Sequence, residues 1–370
     1  MTTRWPAALP GWTVLLPALA LAALVASLGR PLGGLAQAGI GGCLVASVLA
    51  AVHHAEVVAH RVGEPYGTLI LAVAVTVIEV ALIVSLMLAG GAGASALARD
   101  TVFAAIMIVC NGVVGLCLLV GGLRHRELAF RVEGTSPALA VLVALSTLTL
   151  VLPVFTVTTP GPTFSPAQLG FAGVVSLALY AAFVFVQTVR HRDYFLPAAG
   201  SASSDPADHP ADHHADPPSA ALARLSLGLL MVCLLAVVGL AKALAPAIEA
   251  GVRQAGAPPA LVGVIVALLV LLPETWAAVR AALHNRLQTS LNLALGSALA
   301  SIGLTIPVVA VLSLWWPHPL VLGLDSKDIV LLVLTFSVGT LTLGSGRATV
   351  LQGAVHLVLF GVFLFLAVVP

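Results

Sequence analysis

The sequence predicts an all-α polytopic membrane protein of about eleven transmembrane helices: one extra helix, then two five-helix repeats of inverted topology. Three observations lead there. First, 60% of the 370 residues are hydrophobic and 8% are charged, with a mean hydropathy of +1.10; a soluble domain carries roughly a quarter charged residues. Second, the apolar residues come in long unbroken runs rather than single helical stripes, which makes lipid the solvent. Third, a carboxylate stands near the middle of one run, Glu79 in YGTLILAVAVTVIEVALIVSLMLA, and a second, Glu274, follows a matching aliphatic run in LVGVIVALLVLLPETWAAVRAA. The net charge of +1 gives no reason to expect a nucleic-acid partner. The four cysteines, Cys43, Cys110, Cys117 and Cys233, all fall inside apolar runs without a CxxC pair, and read as small buried hydrophobes.

In chain order, apolar runs of membrane-spanning length fall near 11–29, 35–59, 66–89, 101–122, 137–158, 167–189, 222–246, 257–282, 288–313, 328–345 and 349–369. The first has about 18 apolar residues, long enough to read as an uncleaved helix rather than a signal peptide. With eleven spans, the sixteen Lys and Arg residues divide eleven to five in favour of the N-terminal side of the membrane. The positive-inside rule then puts the N-terminus in the cytoplasm and the C-terminus outside. The expected location is the cell (inner) membrane.

Residues 197–219, PAAGSASSDPADHPADHHADPPS, cannot bury a core and read as a flexible cytoplasmic linker. The predicted organisation is therefore an extra helix in 1–34, a first repeat in 35–196, the linker in 197–219, and a second repeat in 220–370. Glu79 lies in the second helix of the first set and Glu274 in the second helix of the other. Because five is odd, the second copy enters the membrane from the opposite side. Transporters built this way hold their substrate near the midplane, at the repeat interface.

The stretches GEPYGTLILAVAVTVIEVALI, ARDTVFAAIMIVCNGVVGL and PETWAAVRAALHNRLQTSLNLALGSALASIGLTIPV resemble the two alpha-repeats of the cation/calcium exchanger superfamily, over about residues 50–370. The bacterial calcium/proton (or sodium, potassium/proton) antiporter branch is the most similar. The resemblance implies that Glu79 and Glu274 bind the cation and exchange it for protons. It also implies transported Ca2+, Na+ or K+ and H+ with no resident cofactor, and membrane lipid as the surroundings. One departure stands out. The superfamily often carries Gly-Asn-Ala-x-Glu in each repeat, where this chain has Val75-Thr76-Val77-Ile78-Glu79 and Val270-Leu271-Leu272-Pro273-Glu274. Thr76 still offers an oxygen and Leu271 does not, which leaves room for monovalent ions.

The residue types suit that chemistry. Calcium takes six to eight oxygen ligands, and two facing glutamates would neutralise it. Thr76 shares the helix face of Glu79 at i−3; Asn111, Ser297 and Ser301 are candidate neutral ligands, or equally helix-packing groups. Pro273 and Pro307 release backbone carbonyls. Burial penalises the charged form of a carboxylate, so an empty site takes up protons and a bound cation expels them. Gln352 and His356, at i and i+4 in the last run, are candidates for a proton relay or for hydrogen bonding across the bundle. His53, Glu56 and His60 share one face of the second run, as an interfacial polar face or a metal or proton path. Asp100 beside Arg99 reads as an ion pair or a helix N-cap. Two further functions stay open. A transporter for transition metals would use the histidines. An intramembrane enzyme would use paired acids, although no Gly-x-Gly-Asp or Asp-rich diphosphate motif is present.

Overall fold

A computed structural model describes residues 9–28, 33–63, 66–90, 93–196, 218–316 and 318–369. The Asp/His-rich stretch at 197–217 lies outside the described residues. Among the described residues the chain forms α1 (Gly11–Ser27), α2 (Gly34–Val62), α3 (Tyr66–Ala89), α4 (Leu97–His125), α5 (Val132–Val154), α6 (Pro166–Arg190), α7 (Ala220–Gln254), α8 (Ala260–Leu283), α9 (Leu287–Leu312), α10 (Ser326–Leu343) and α11 (Val350–Val368). The one-plus-five-plus-five order of the sequence is present in full. The largest departure is α7, which runs 35 residues, about 52 Å at 1.5 Å per residue, well beyond a hydrocarbon core of about 30 Å. Its apolar part ends near Pro246, but nothing in AIEAGVRQ breaks a helix, and the turn comes only at Gly256, whose φ is +68°. A hydropathy count sees where lipid ends, not where a helix ends.

Two compact units emerge, Met1–Gly91 with Ser203–Gly251, and Ala92–Ala202 with Val252–Pro370. The first contains α1, α2, α3 and most of α7. There α1 packs on α2, and α2 on α3. Pro17 inside α1 has no N–H, so the Thr13 carbonyl one turn earlier loses its helical donor. His54 of α2 replaces it, with Nε2 2.9 Å from the Thr13 oxygen. Since a carbonyl only accepts, Nε2 carries the hydrogen. Farther along α1, Leu24 fills the space a side chain at Gly239 of α7 would need, 2.5 Å from the ideal Cβ position. Ser85 of α3 donates to the Val238 carbonyl of α7 at 3.0 Å.

These contacts make a prediction. His54→Leu strands a buried carbonyl and costs about 1–3 kcal/mol. Adding Pro17→Ala restores an N–H for Thr13 and recovers much of the loss. Thermal melts in detergent check this; equal destabilisation in the single and double variants would contradict it.

The second unit contains α4–α6 and α8–α11, and it shows the inversion in its packing. The third helix of each set packs on the fifth helix of the other: α4 on α11, and α9 on α6. Small residues permit both approaches, Gly115, Gly122 and Gly353 in one, Gly173 and Gly303 in the other. The loops obey the same exchange. Strand β1 (Leu128–Ala129), between α4 and α5, pairs antiparallel with β2 (Arg347–Ala348), between α10 and α11. At the other end of α4, Thr163 between α5 and α6 bridges Val321 between α9 and α10, and the Val321 N–H donates to the Ser95 carbonyl.

Helices α6 and α11 also start with the same device. Ser165 and Gln168 form a capping box at α6, as Thr349 and Gln352 do at α11. Ser165 N–H donates to Gln168 Oε1 at 2.9 Å and Thr349 N–H to Gln352 Oε1 at 2.8 Å.

Candidate functional site

Helices α3 and α8 are both 24 residues long, and the acids stand at neighbouring positions in them, the fourteenth for Glu79 and the fifteenth for Glu274. Each is thus about 20 Å from the start of its helix. Nine residues follow Glu274 in its helix and ten follow Glu79, so the two acids stand at nearly the same place along their helices.

On α3, Val75, Thr76, Ile78, Glu79, Leu82, Ile83, Leu86 and Met87 form the buried stripe, at the i, i+3, i+4, i+7 spacing of one helix face. Glu79 is 4% exposed and Thr76 3%, so the hydroxyl and the carboxylate share a covered face. Val73, Val77 and Leu88 hold the opposite face. On α8, Ala267, Val270, Leu271, Ala278 and Ala281 are buried, and Glu274 falls on the same stripe, half-buried. Pro273 directly before it removes the donor for the Leu269 carbonyl. Leu271, at the superfamily's asparagine position, is buried with no side-chain oxygen to give; the Thr275 hydroxyl donates to its carbonyl at 2.7 Å.

In α9, Ser297 is half-buried and Ser301 buried, and both lie on one face with Ser290 and Thr305. Pro307 frees the Gly303 carbonyl in the same stretch. In α4, Asn111 is fully buried and sits in a π turn, Ile108–Val113. Such turns insert one residue into a helix and frequently mark functional positions.

Asn111 is not isolated. Its Nδ2 donates to Thr335 Oγ1 of α10 at 2.8 Å, and its Oδ1 lies 3.1 Å from His356 Nδ1 of α11. His356 Nε2 is 3.1 Å from Thr342 Oγ1, and the Thr335 hydroxyl reaches Met107 Sδ at 3.4 Å. The second unit therefore brings Asn111 and His356 together, which the sequence did not announce. Thr335, Thr342 and Met107 were missed as members of the group. The traces that could have found them are the i, i+7 pair of threonines on α10 and the i, i+4 spacing of Met107 and Asn111. Gln352 is placed differently: its side chain closes the cap of α11 on Thr349 rather than meeting His356.

Asp100 pairs with Arg99, Nε to Oδ1 2.8 Å, while Arg99 also donates to the Gly323 carbonyl. The N-cap of that helix is Ala96, so the ion-pair reading holds and the cap reading does not. His53 is half-buried against Trp12, with Glu56 and His60 exposed on the same helix. Among the described residues no group of three or more His, Cys, Asp or Glu is arranged to hold a metal ion.

Among the described residues, eleven apolar helices in a one-plus-five-plus-five order, with reciprocal packing and one acid on the second helix of each set, define a membrane transporter of the inverted-repeat class. The chain belongs to the sodium/calcium exchanger protein family, which matches residues 33–189 and 225–369. Candidate ionic transporter y4hA of Sinorhizobium fredii (strain NBRC 101917 / NGR234) is 54% identical over 329 residues, 89% of this chain and 87% of its own. The sodium-potassium/proton antiporter ChaA of Escherichia coli (strain K12) is 37% identical over 321 residues, 87% of this chain and 85% of its own. Among solved structures, native YfkE matches with a TM-score of 0.72 at 17% identity, covering 97% of this chain and 100% of that one. The H+/Ca2+ exchanger CAX matches at 0.68 and 17%, covering 95% and 86%. At that identity the structural likeness establishes a shared fold.

Proposed function

We propose that the protein is a secondary antiporter that exports Ca2+, and also Na+ or K+, in exchange for H+ by alternating access. The observation that carries this reading is the pair of carboxylates, Glu79 and Glu274, at neighbouring positions of equally long second helices in two inverted sets. A carboxylate on a covered helix face is costly to leave charged and empty. It therefore holds a proton or a cation, and a group that holds one releases the other. That exclusion couples the two fluxes with no resident cofactor and no covalent chemistry, so the protein is a transporter rather than an enzyme.

Thr76, Asn111, Ser297 and Ser301 supply neutral oxygens in this reading. Two carboxylates match a divalent ion in charge. Leu271 reduces the number of side-chain oxygens on one side, which favours tolerance of monovalent ions. Similarity to ChaA, named for sodium, potassium and protons, supports the same breadth. We place the chain in the bacterial inner membrane, N-terminus in the cytoplasm, on the eleven-to-five division of its cations. The repeat limits 35–196 and 220–370 are supported by the exchange of third and fifth helices and by the matching caps at Ser165 and Thr349.

Proton flux in everted vesicles, energised and scanned over Ca2+, Na+, K+ and pH, tests the proposal. Addition of the transported cation should collapse the proton gradient, with half-saturation that rises as pH falls. Cation movement without proton movement would make the protein a channel, and a response confined to Zn2+, Ni2+ or Co2+ would make it a transition-metal transporter.

A further inference from the structure

His356 belongs to a chain of hydrogen bonds whose direction can be read from one end. Met107 Sδ only accepts, so the Thr335 hydroxyl donates to it. Thr335 Oγ1 is then the acceptor for Asn111 Nδ2, and this turns Asn111 Oδ1 toward His356. An amide oxygen accepts, so His356 Nδ1 carries a hydrogen. In a neutral ring Nε2 is left as an acceptor, which takes the Thr342 hydroxyl. Every donor meets an acceptor with His356 neutral. All five residues are buried. The ring meets an amide and a hydroxyl and also interacts with the Cys110 backbone, so a charged imidazole there would have no carboxylate among its bonded partners.

The chain ties three elements together: the π turn of α4 through Asn111, α10 through both threonines, and α11 through His356. The approach is close, since a side chain at Gly115 would stand 2.9 Å from His356 Cβ. The fold itself does not require the ring. Helix α6 begins with the same capping box, and seven residues past its cap, where α11 has His356, it carries Ala172. It still packs on α9. One half of the molecule has therefore added a network that the shared architecture does without.

We infer that His356 is a positioning residue: as a neutral double bridge between Asn111 and Thr342 it fixes the Asn111 amide, and the π turn beneath it, for cation binding. An amide oxygen has two acceptor sites; His356 occupies one and holds the group so that the other keeps a set direction. This rests on reading Asn111 as a neutral oxygen ligand. It replaces a proton-relay role for His356.

The experiment compares Ca2+- and Na+-dependent proton flux in everted vesicles for His356→Phe, His356→Gln and Thr342→Val. Gln has one donor end and one acceptor end, as the neutral ring does. His356→Phe should raise the cation KM fivefold or more with kcat within twofold of the parent, and His356→Gln should return KM to within twofold. Thr342→Val should fall between them, and it carries the test if His356→Phe does not accumulate. The pH profile of kcat should not move in His356→Gln. A shifted profile or lost proton coupling in that variant would make His356 a proton carrier and overturn the inference, as would an unchanged KM in both His356→Phe and Thr342→Val. Activity surviving in Glu79→Gln would count against the glutamate reading alone. Loss there with an unchanged KM in these variants would count against the positioning role alone.

Discussion

Glu79→Gln and Glu274→Gln are each expected to abolish cation-evoked proton movement, by at least a hundredfold, while leaving the amount and melting temperature of the protein near those of the parent. Gln has almost the shape of Glu and keeps one carbonyl oxygen, so packing on the buried stripe that holds Thr76, Ile78 and Ile83 survives. What goes is the capacity to exist in two states. A carboxylate can be neutral with a proton or charged against a cation; an amide is neutral always and can exchange neither. Removing one carboxylate also leaves one negative charge where a divalent ion needs two. Coulomb attraction at contact distance, about 4 kcal/mol for a unit pair at an effective dielectric of 20, corresponds to roughly three orders of magnitude in binding, which sets the size of the effect. Glu79→Asp keeps the charge but draws the carboxylate back by one methylene, and is expected to raise KM with partial retention of turnover. Vesicle flux measured against immunoblotted protein decides this. Coupled transport persisting in both Gln variants would remove these residues from the mechanism.

How much of this was legible in the sequence depends on the physics behind each feature. The helices were, because a span must be continuously apolar and backbone groups in lipid must bond within it; nearly all of the predicted runs match observed helices to within a few residues. The two acids were legible because lipid makes a charge conspicuous. Helix ends beyond the lipid were not, as α7 shows. Nor was the π turn at Asn111, since the apolar pattern of AAIMIVCNGVVG carries no sign of it. His54 went unremarked beside His53 because its value lies in a defect elsewhere: the Thr13 carbonyl, forty-one positions away, which Pro17 leaves without a helical donor. Gln352 and His356 share a helix face, yet the nearer partner for Gln352 was the open cap at Thr349. Spacing on one helix reports which side chains are neighbours; it does not report which bond wins.

The second large effect is expected at Gly353→Ala. An ideal Cβ there would lie 2.5 Å from the Leu119 nitrogen, 2.9 Å from the Gly115 carbonyl oxygen and 3.0 Å from the Leu118 carbonyl carbon. All three are backbone atoms of α4, which cannot rotate aside as a side chain would. The helices must separate, and overpacking typically costs about 1–3 kcal/mol even where neighbours are able to yield. Here separation also pulls His356, one turn on along the same helix, from Asn111, because both crossings lie on the α4–α11 contact. The variant should therefore lose melting temperature in detergent and raise the cation KM together. Gly361→Ala on the same helix has open space around the new methyl and replaces a poor helix former with a good one, so it should be neutral or slightly stabilising. If the two alanines behave alike, close approach of α4 and α11 is not what holds this half of the molecule. If Gly353→Ala lowers stability but leaves KM untouched, the crossing is needed for folding while the Asn111 amide is held by other means.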